Sequence, residues 1–557
     1  MLEPQKFSHT RVLVLLIVLW AVAYLPQLGA RSLRLEEGRR ATPAREMLAT
    51  GDWVVPRLYG DVYLNKPPLY FWLVATTGAV TGGVDEFAVR FPAALGVLLA
   101  ALAMYIGAPR AFNHNARALA ALFGLATLIM LVKGPLGEIE SFFVFLLIAT
   151  TLAIWHAIEN RSLALWLLAG LFMGAANLTK GPVGLLQVYL VLLPLLIATG
   201  RWRKLLSLGH ALYLLLGFAP VVLWVIAIHH RTGLTYAELA SLWSGQMGVK
   251  AVGQVAREPK NFATYLNHYW QLPFECLITA LPAVIWAIAA FVPAERRLKQ
   301  IPRDMWLFFG SGAVALLLPF WLWPTAESRH VIFFYFPIVM LAALYLALAV
   351  GDKTPEKQLH LARTTAVISA GLAGAAGVAI AVLGVWLNPL TTTLVAVSAC
   401  VLGIVMFRRT KRGNLADTPV VSAAAIAAAM LICHGCFVTV FNPWQAPRDR
   451  LDIARRQLQQ LIPANTPVFT TRSFAVYDAV TRAPKGDGYY NTQFYLPTDT
   501  RGLRSLDQLP AARPCIIVIA PAELPTLRER APAIEVLGEM RVEKGPAPLV
   551  VTRLNAQ

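Results

Sequence analysis

The residues at 31–72 have the types and spacing best suited to chemistry. This polar stretch holds adjacent carboxylates, Glu36 and Glu37, followed by two arginines, and it places Lys66 before a Pro-Pro-aromatic run. It directly follows the first apolar segment long enough to cross a membrane, and a loop that only joins two membrane helices has no physical need for such groups. A loop directly after a membrane segment lies where lipid headgroups meet water. Charged groups placed there predict chemistry on a charged lipid.

Further ionisable groups recur in segments that the topology given below places on the same side of the membrane. They are Glu138, Glu140, Lys180, Lys250, Arg257, Lys260, Glu327, Arg329 and His330. Ionisable groups at membrane depth are costly and tend to mark functional sites, and packing alone would not sort them to one face. Lysine and arginine hold a phosphate and stabilise it as a leaving group, while a carboxylate accepts a proton from an attacking hydroxyl. The set therefore predicts transfer of a group from a lipid phosphate.

Each residue also has an ordinary interpretation. Glu36 or Glu37 alone would fit a surface ion pair with a neighbouring arginine. Lys66 and Lys180 would fit anchors that reach towards the interface. His330 would fit a hydrogen bond to a backbone carbonyl at a helix start. The residues are more informative together than singly.

The composition identifies an integral membrane protein. The 557 residues are 57% hydrophobic and 14% charged, with a mean hydropathy of +0.57, and a soluble domain with so few charges would not cover its surface. The net charge of +18 fits cytoplasmic loops rich in lysine and arginine, and no basic face interleaved with stacking aromatics predicts a nucleic-acid partner. The five cysteines give no disulfide framework, and we interpret Cys433-His434-Gly435-Cys436 as packing residues of a membrane span.

Apolar runs of about 20 residues, the length that crosses a bilayer, predict about thirteen transmembrane helices. They lie at 11–30, 88–109, 116–133, 141–158, 162–178, 182–199, 206–229, 275–293, 305–323, 331–350, 364–387, 390–408 and 419–441. The basic connections at 200–204, 295–303, 351–358 and 407–414 then alternate with poorly charged ones, which predicts a cytoplasmic amino terminus and a periplasmic carboxy terminus.

The predicted organisation has two domains. Residues 1–442 form an α-helical polytopic membrane domain whose outer loops, 31–87 and 230–274, make the active-site face. Residues 443–557 change character: LDIARRQLQQLI is amphipathic and helix-like, and short β-branched runs such as CIIVIAP follow. This tail is predicted to be a small periplasmic α/β domain.

The first outer loop and several later segments of the sequence resemble a known family. The sequence LEEGRRATPAREMLATGDWVVPRLYGDVYLNKPPLYFWL is similar to the first outer loop of bacterial membrane glycosyltransferases related to protein O-mannosyltransferases and to the lipid A aminoarabinose transferase. In the family, that loop has an acidic pair, then a helix that ends near a segment like REMLATGDWVVP, and then KPP followed by an aromatic residue. DEFAVRFPAALGVLLAAL, NLTKGPVGLL and SRHVIFFYFP resemble later segments, so the match covers roughly residues 10–350.

The resemblance implies a GT-C fold and an inverting enzyme that transfers a sugar from a polyprenyl (undecaprenyl) monophosphate carrier. The implied acceptor is lipid A or another envelope glycan or protein. The implied location of the enzyme is the bacterial inner membrane, with transfer at the periplasmic face. The family's catalytic acids fall on Glu36, Glu37 and Glu140. The carrier-phosphate lysine falls on Lys66, and a basic residue of the second loop falls on Arg257. With the residue-based candidates, the predicted phosphate-binding set is Lys66, Lys180, Lys250, Arg257, Arg329 and His330.

The sequence departs from the family pattern at three places. Glu36 stands where aspartate is usual, Asn65 where aminoarabinose transferases have glutamate, and Val331 where tyrosine is frequent. The change at Asn65 removes a carboxylate and so weakens a metal site. The sequence requires no cofactor, and it leaves open whether a divalent metal binds. A lipid or glycan transporter without chemistry, and a ligase using a pyrophosphate-linked donor, remain the alternative hypotheses.

Overall fold

The computed structural model describes residues 8–58, 60–241, 262–293, 300–323, 326–348, 418–463, 465–471 and 494–497, most of 500–540 and 549–555, and isolated positions between 371 and 408. Helices dominate these residues. The chain divides into two compact units. The first comprises residues 1–27, 93–222 and 259–441, and the second comprises residues 28–92, 223–258 and 442–557.

Seven helices of the described residues are long and apolar enough to cross a membrane, or eight if one bent pair counts as a single span. The seven are Glu86–Gly107, Glu140–Glu159, Leu163–Lys180, Leu208–Thr232, Arg303–Trp321, Ser328–Leu348 and Val420–Arg448. Shorter apolar helices run over His9–Tyr24, Leu69–Thr81 and Val183–Ala198. The chain is therefore a multi-pass membrane protein, and most of the predicted spans at 364–387 and 390–408 lie outside the described residues.

Two predicted spans are interrupted. The apolar run at 116–133 forms two helices, His114–Ala126 and Leu128–Lys133, because Thr127 takes an extended backbone between them. The run at 275–293 lies in a helix pair bent by 115°. The breaks meet, since the Leu128 N–H donates to the Leu281 carbonyl over 2.9 Å. Irregular backbone at membrane depth is tolerated where protein surrounds it and satisfies its polar groups.

Two helices of the first unit form an antiparallel hairpin. Glu140–Glu159 and Leu163–Lys180 are joined by only three residues, so the first residue of one helix and the last residue of the other lie at the same end. Gly96 of the preceding long helix packs against this hairpin, and a Cβ at Gly96 would lie 2.6 Å from the Phe142 Cα. Small residues allow membrane helices to approach this closely.

The loop predicted at 31–87 contains more regular structure than an outer connection needs. It forms the helices Gly38–Thr50 and Leu69–Thr81 and a two-stranded ribbon, Arg57–Leu58 with Asp61–Val62. Leu69–Thr81 begins directly after Pro68, in keeping with the poor fit of proline inside a helix. The KPP segment is thus the entry to an apolar helix that the hydropathy count did not include.

The end of the chain forms a mixed five-stranded sheet within the second unit. In spatial order its strands are Arg501–Leu503, Val468–Thr471, Cys515–Ile519, Leu549–Leu554 and Ile534–Met540. The first three strands are parallel, and the remaining pairs are antiparallel.

Both faces of this sheet are covered. Along the central strand, Ile516 and Val518 face one side and pack with Ala454 and Leu458 of the helix Arg450–Leu461. Ile517 and Ile519 face the other side and pack with Leu527 of the helix Leu524–Arg530. This alternation follows from the two-residue period of a strand. The β-branched run CIIVIAP coincides with the strand Cys515–Ile519, whereas a separate domain beginning at 443 stays a prediction.

Candidate active site

In the first unit, Glu140 and Lys180 form an ion pair at one end of the helical hairpin. The Lys180 Nζ lies 3.3 Å from the Glu140 Oε1, and the two side chains are 14% and 11% exposed. Glu140 begins its helix and Lys180 ends the other, so each charge has the sign that the helix dipole favours there. Lys180 also lies over the Phe143 ring, 5.3 Å from its centroid. The pair is partly accessible, as a substrate-binding group must be.

The other end of the same hairpin carries a different charge network. Arg201 bonds to Glu159 over 2.6 Å and to Asp304 over 3.0 Å. Twenty residues of helix, about 30 Å at 1.5 Å per residue, separate Glu140 from Glu159. Within this unit the predicted site residues therefore lie at the end opposite the basic connection at 200–204.

Arg329 and His330 belong to the charged neighbourhood of Lys180 and Glu140. The short helix Ser328–Phe334, which carries both residues, packs against the helix Glu140–Glu159. The His330 Nδ1 accepts from the Glu327 N–H over 3.0 Å, and Arg329 pairs with Glu327 over 2.6 Å. The structure thus places Glu140, Lys180, Arg329 and His330, four predicted site residues that are far apart in the chain, in one region of the first unit.

In the second unit, Glu37 is fixed in a buried ion pair with Arg90. Both carboxylate oxygens accept from the Arg90 guanidinium over 2.8 Å, and the two side chains are 0% and 3% exposed. Arg90 also donates to the carbonyls of Leu28, Arg31 and Ser32. This geometry gives Glu37 a positioning role, because its carboxylate is engaged in holding the loop.

Glu36 is the more accessible acid of this unit. Its side chain is 16% exposed, and its Oε2 accepts from Arg40 over 2.8 Å, while Arg39 lies 3.8 Å from its Oε1. The side chains of Arg39 and Arg40 are only 2% exposed, so they are not the surface ions of the ordinary interpretation. Burial raises the pKa of the neighbouring Tyr63 phenol against the opposing effect of the two guanidiniums. Glu36 is therefore held between cations and reaches the surface of the unit.

The remaining predicted residues are located as follows. Lys66 is partly buried in the second unit, beside the buried Asn65 and just before the helix Leu69–Thr81. Lys250 and Arg257 lie outside the described residues. Among the described residues no group of three or more histidine, cysteine, aspartate or glutamate side chains could hold a metal ion, and the question of a metal stays open.

Sequence reasoning missed two arginines of this site. The sequence predicts Arg40 only as a surface partner of the acids, and it predicts Arg90 as part of an apolar span. The signal that was available for Arg90 is its position inside a membrane-length apolar run, DEFAVRFPAALGVLLAAL. A charge in such a run predicts a buried partner, and the partner is Glu37.

Comparison with known proteins finds a family model and solved structures that this chain resembles. Residues 65–224 match the family model described as dolichyl-phosphate-mannose-protein mannosyltransferase. The crystal structure of ArnT from Cupriavidus metallidurans in the apo state has the same fold, with a TM-score of 0.64 at 20% identity over 98% of this chain and 97% of that one. The same protein bound to undecaprenyl phosphate gives a TM-score of 0.62 over the same shares.

Curated relatives match a stretch of similar length. An undecaprenyl phosphate-alpha-4-amino-4-deoxy-L-arabinose arabinosyl transferase of Pseudomonas fluorescens strain Pf0-1 is 31% identical over 178 residues, which is 31% of this chain and 32% of the relative. A transferase of the same name from Pseudomonas aeruginosa strain LESB58 is 33% identical over 179 residues, again 31% and 32%. The matched stretch spans about a third of the length of these relatives.

The chain has the fold of these GT-C structures, and its residues 65–224 match the mannosyltransferase family model. The predicted resemblance to the protein O-mannosyltransferases and the lipid A aminoarabinose transferase is confirmed. Three of the predicted site residues, Lys66, Glu140 and Lys180, lie within the matched residues.

Proposed function

We propose that this protein is an inverting glycosyltransferase that moves a sugar from a polyprenyl monophosphate carrier to an envelope acceptor. The observation that carries the proposal is Glu36, a partly exposed carboxylate held by buried arginines at the start of a helix. Such a group is oriented before substrate arrives, which is what a general base requires. The GT-C fold and the names of the curated relatives support the reaction class.

The proposed chemistry uses the residues as follows. The acceptor hydroxyl gives its proton to the Glu36 carboxylate as its oxygen bonds to the anomeric carbon of the sugar. The bond from that carbon to the carrier phosphate breaks, and the polyprenyl phosphate leaves with the electron pair. We assign the leaving phosphate to Lys66, in the unit that holds Glu36. In the other unit, Lys180, Arg329 and His330 are separate candidates for binding a carrier phosphate, with Glu140 orienting Lys180.

Aminoarabinose is the proposed sugar and lipid A the first proposed acceptor. The support is that the curated relatives are named as transferases that use undecaprenyl phosphate-alpha-4-amino-4-deoxy-L-arabinose. Transfer at the periplasmic face would need a carrier that stays in the membrane, which suits a polyprenyl phosphate.

The proposed topology has thirteen spans in the bacterial inner membrane, a cytoplasmic amino terminus and a periplasmic α/β domain from residue 443. Its support is the multi-pass helical fold together with the basic connection at 200–204, which lies at the hairpin end away from Glu140. Basic connections are retained in the cytoplasm, so Glu140 and Lys180 would face the periplasm.

The test is transfer by purified protein in detergent. With undecaprenyl-phosphate aminoarabinose as donor and lipid A as acceptor, we expect Glu36→Gln to lower turnover about 100- to 10,000-fold, the range for loss of a general base. We expect Lys66→Ala to weaken donor binding. Glu46→Gln, on the same helix as Arg40 and bonded to the Gly60 N–H, and Lys204→Ala serve as controls.

Near wild-type turnover in both site variants would reject the site. Transfer by the wild type in detergent, where no bilayer remains to cross, would exclude a transporter without chemistry. A pyrophosphate-linked donor that is used in place of the monophosphate would favour the ligase alternative.

A further inference from the structure

The loop that carries Glu36 makes an unusual set of contacts with the end of the chain. Three consecutive residues, 31 to 33, each bond to a different side chain of the tail, the described residues from 449 onward. Arg31 donates to both carboxylate oxygens of Asp449 over 2.7 and 3.0 Å. The partners are 418 residues apart in sequence, and all of them lie within the second unit.

The next two loop residues bond to the tail through the Ser32 hydroxyl and through the backbone N–H groups of both residues. The Ser32 hydroxyl donates to Asp452 over 2.5 Å, and the Ser32 N–H reaches the other oxygen at 3.4 Å. The Leu33 N–H donates to the Tyr495 hydroxyl over 2.7 Å. Backbone bonds fix where the chain runs, so these contacts set the path of the loop into Glu36.

Tyr495 can accept from the loop because it donates elsewhere. Its hydroxyl donates to Glu86 over 2.8 Å, and Arg455 lies 3.0 Å from the same Glu86 oxygen. Burial and the Glu86 carboxylate raise the pKa of Tyr495, which keeps the proton needed for this bond. One hydroxyl thus links the loop to the helix that begins at Glu86.

The loop also needs to be held from outside. Leu35, the residue before Glu36, has a φ of +53°, a left-handed conformation that is unfavourable for a leucine. The residue is 52% exposed. Strained backbone persists only where the surrounding structure determines it, and residues 31–33 are where the tail supplies that determination.

The tail also holds the helix that follows. Arg45 of Gly38–Thr50 donates to the carbonyls of Phe494 and Leu496, and its guanidinium lies 4.9 Å from the centroid of the Phe494 ring. The acid and the arginines that flank it are therefore bounded on both sides by tail contacts.

We propose that the tail is a positioning element of the reaction site, and that Asp449, Asp452 and Tyr495 hold Glu36 in its working geometry by fixing residues 31–33. This inference rests on the proposed function of Glu36 as the base. It gives the α/β tail a role in turnover, independent of whether the tail also contacts an acceptor.

Transfer kinetics on the full-length protein test the proposal. We expect Tyr495→Phe and Asp452→Ala each to lower kcat about tenfold or more, with the donor KM changed much less, because small displacements of a catalytic group cost up to about 100-fold in rate. Glu535→Ala removes a tail carboxylate that is 52% exposed and 3.9 Å from Arg553, and we expect it to leave kcat unchanged. A kcat equal to that of the wild type in Tyr495→Phe, Asp452→Ala and Glu535→Ala would overturn the proposal.

A charge exchange separates positioning from general stability. Arg31→Asp and Asp449→Arg should each lower kcat, and the double variant should recover most of the loss because the pair is restored in reverse. A merely structural role would lower the yield of folded protein and leave the kcat of the folded fraction unchanged. Lack of any recovery, with both single variants folded and impaired, would count against the Arg31 contact.

Hydrogen exchange provides a readout that does not need the reaction. Amides at 31–37 should exchange at least about tenfold faster in Tyr495→Phe and Asp452→Ala than in the wild type or Glu535→Ala. A segment that has lost its tethering bonds opens more often, and each opening exposes its amides to exchange. If Glu36→Gln is fully active but this exchange pattern holds, the proposed function fails while the tethering stands. Unchanged exchange would reject the tethering itself.

Discussion

The two acidic clusters hold their carboxylates by different means. In the first unit, Glu140 and Lys180 are the terminal residues of two helices joined by a short turn, so local geometry brings them together. In the second unit, Glu36 and Glu37 lie in a turn whose support comes from Arg90 and from tail residues hundreds of positions away.

The difference has an energetic side. The side chains of the pair at the helix ends retain 14% and 11% exposure at a spacing of 3.3 Å, so the pair can be reached by a substrate, and its loss should cost less stability than the loss of a fully buried pair. The pair of Glu37 with Arg90 is buried, bonded through both oxygens, and closed to any substrate. Adjacent carboxylates in the sequence therefore have separate roles: Glu37 fixes the loop, and Glu36 is presented.

The largest effect is expected from breaking the buried pair. Glu37→Gln should destabilise the protein by about 3–5 kcal/mol, because the Arg90 charge would remain buried without its partner. Thermal unfolding in detergent and the yield of folded protein measure this. Glu140→Gln is the comparison variant at the helix-end cluster and should cost far less stability. Similar losses in both would contradict the distinction between the clusters.

The helix-end cluster should respond in donor binding instead. Lys180→Met removes a cation that we assign to the carrier phosphate, and loss of a bond to a charged group is worth about 1.5–3 kcal/mol. The donor KM should therefore rise roughly 10- to 100-fold, as measured in the transfer assay. Arg201→Met, at the far end of the hairpin, should leave KM unchanged. A normal KM in Lys180→Met would remove Lys180 from the phosphate site.

The same contrast explains what could be predicted from sequence. Apolar runs at 141–158 and 162–178 with a short connection already imply that residues just outside them, such as Glu140 and Lys180, meet at one end. The gathering of Arg329 and His330 near that pair was predicted from sidedness alone. These predictions needed only lengths and alternation.

The loop cluster was out of reach of such reasoning. Nothing local indicates that Arg39 and Arg40 are buried, because their burial depends on tertiary packing. Hydropathy also missed the helix Leu69–Thr81, which is only 13 residues long. It also could not detect the extended backbone at Thr127, next to which the Leu128 N–H donates to the distant Leu281 carbonyl.

The Cys-His-Gly-Cys segment shows packing where its spacing is typical of redox motifs. A Cβ at Gly435 would lie 2.2 Å from the Val22 carbonyl oxygen, and His434 bonds to the Ala23 carbonyl over 2.9 Å. The glycine is needed for a close helix contact and the histidine for a backbone bond, in agreement with the packing interpretation.

A smaller effect is expected where a helix supports the helix-end cluster. Gly96→Ala places a methyl group 2.6 Å from the Phe142 Cα, and backbone cannot move aside as a flexible side chain can. We expect a loss of about 1–3 kcal/mol, the usual cost of overpacking, measured as a lower unfolding temperature. Gly83→Ala meets nothing within 4 Å and is the control. An unchanged unfolding temperature in Gly96→Ala would show that the helices separate without cost.

The smallest effect is expected at the opposite end of the hairpin, and it tests sidedness directly. Glu159→Gln breaks an ion pair whose side chains are 32% and 39% exposed, so it should cost only about 0.2–1 kcal/mol and leave turnover as in the wild type. Glu140→Gln changes the same residue type on the same helix at the other end, and there the donor KM should rise because Lys180 loses its orienting partner. If Glu159→Gln impaired transfer as much as Glu140→Gln, both ends of the span would matter to the reaction, and chemistry confined to one face of the membrane would no longer describe this protein.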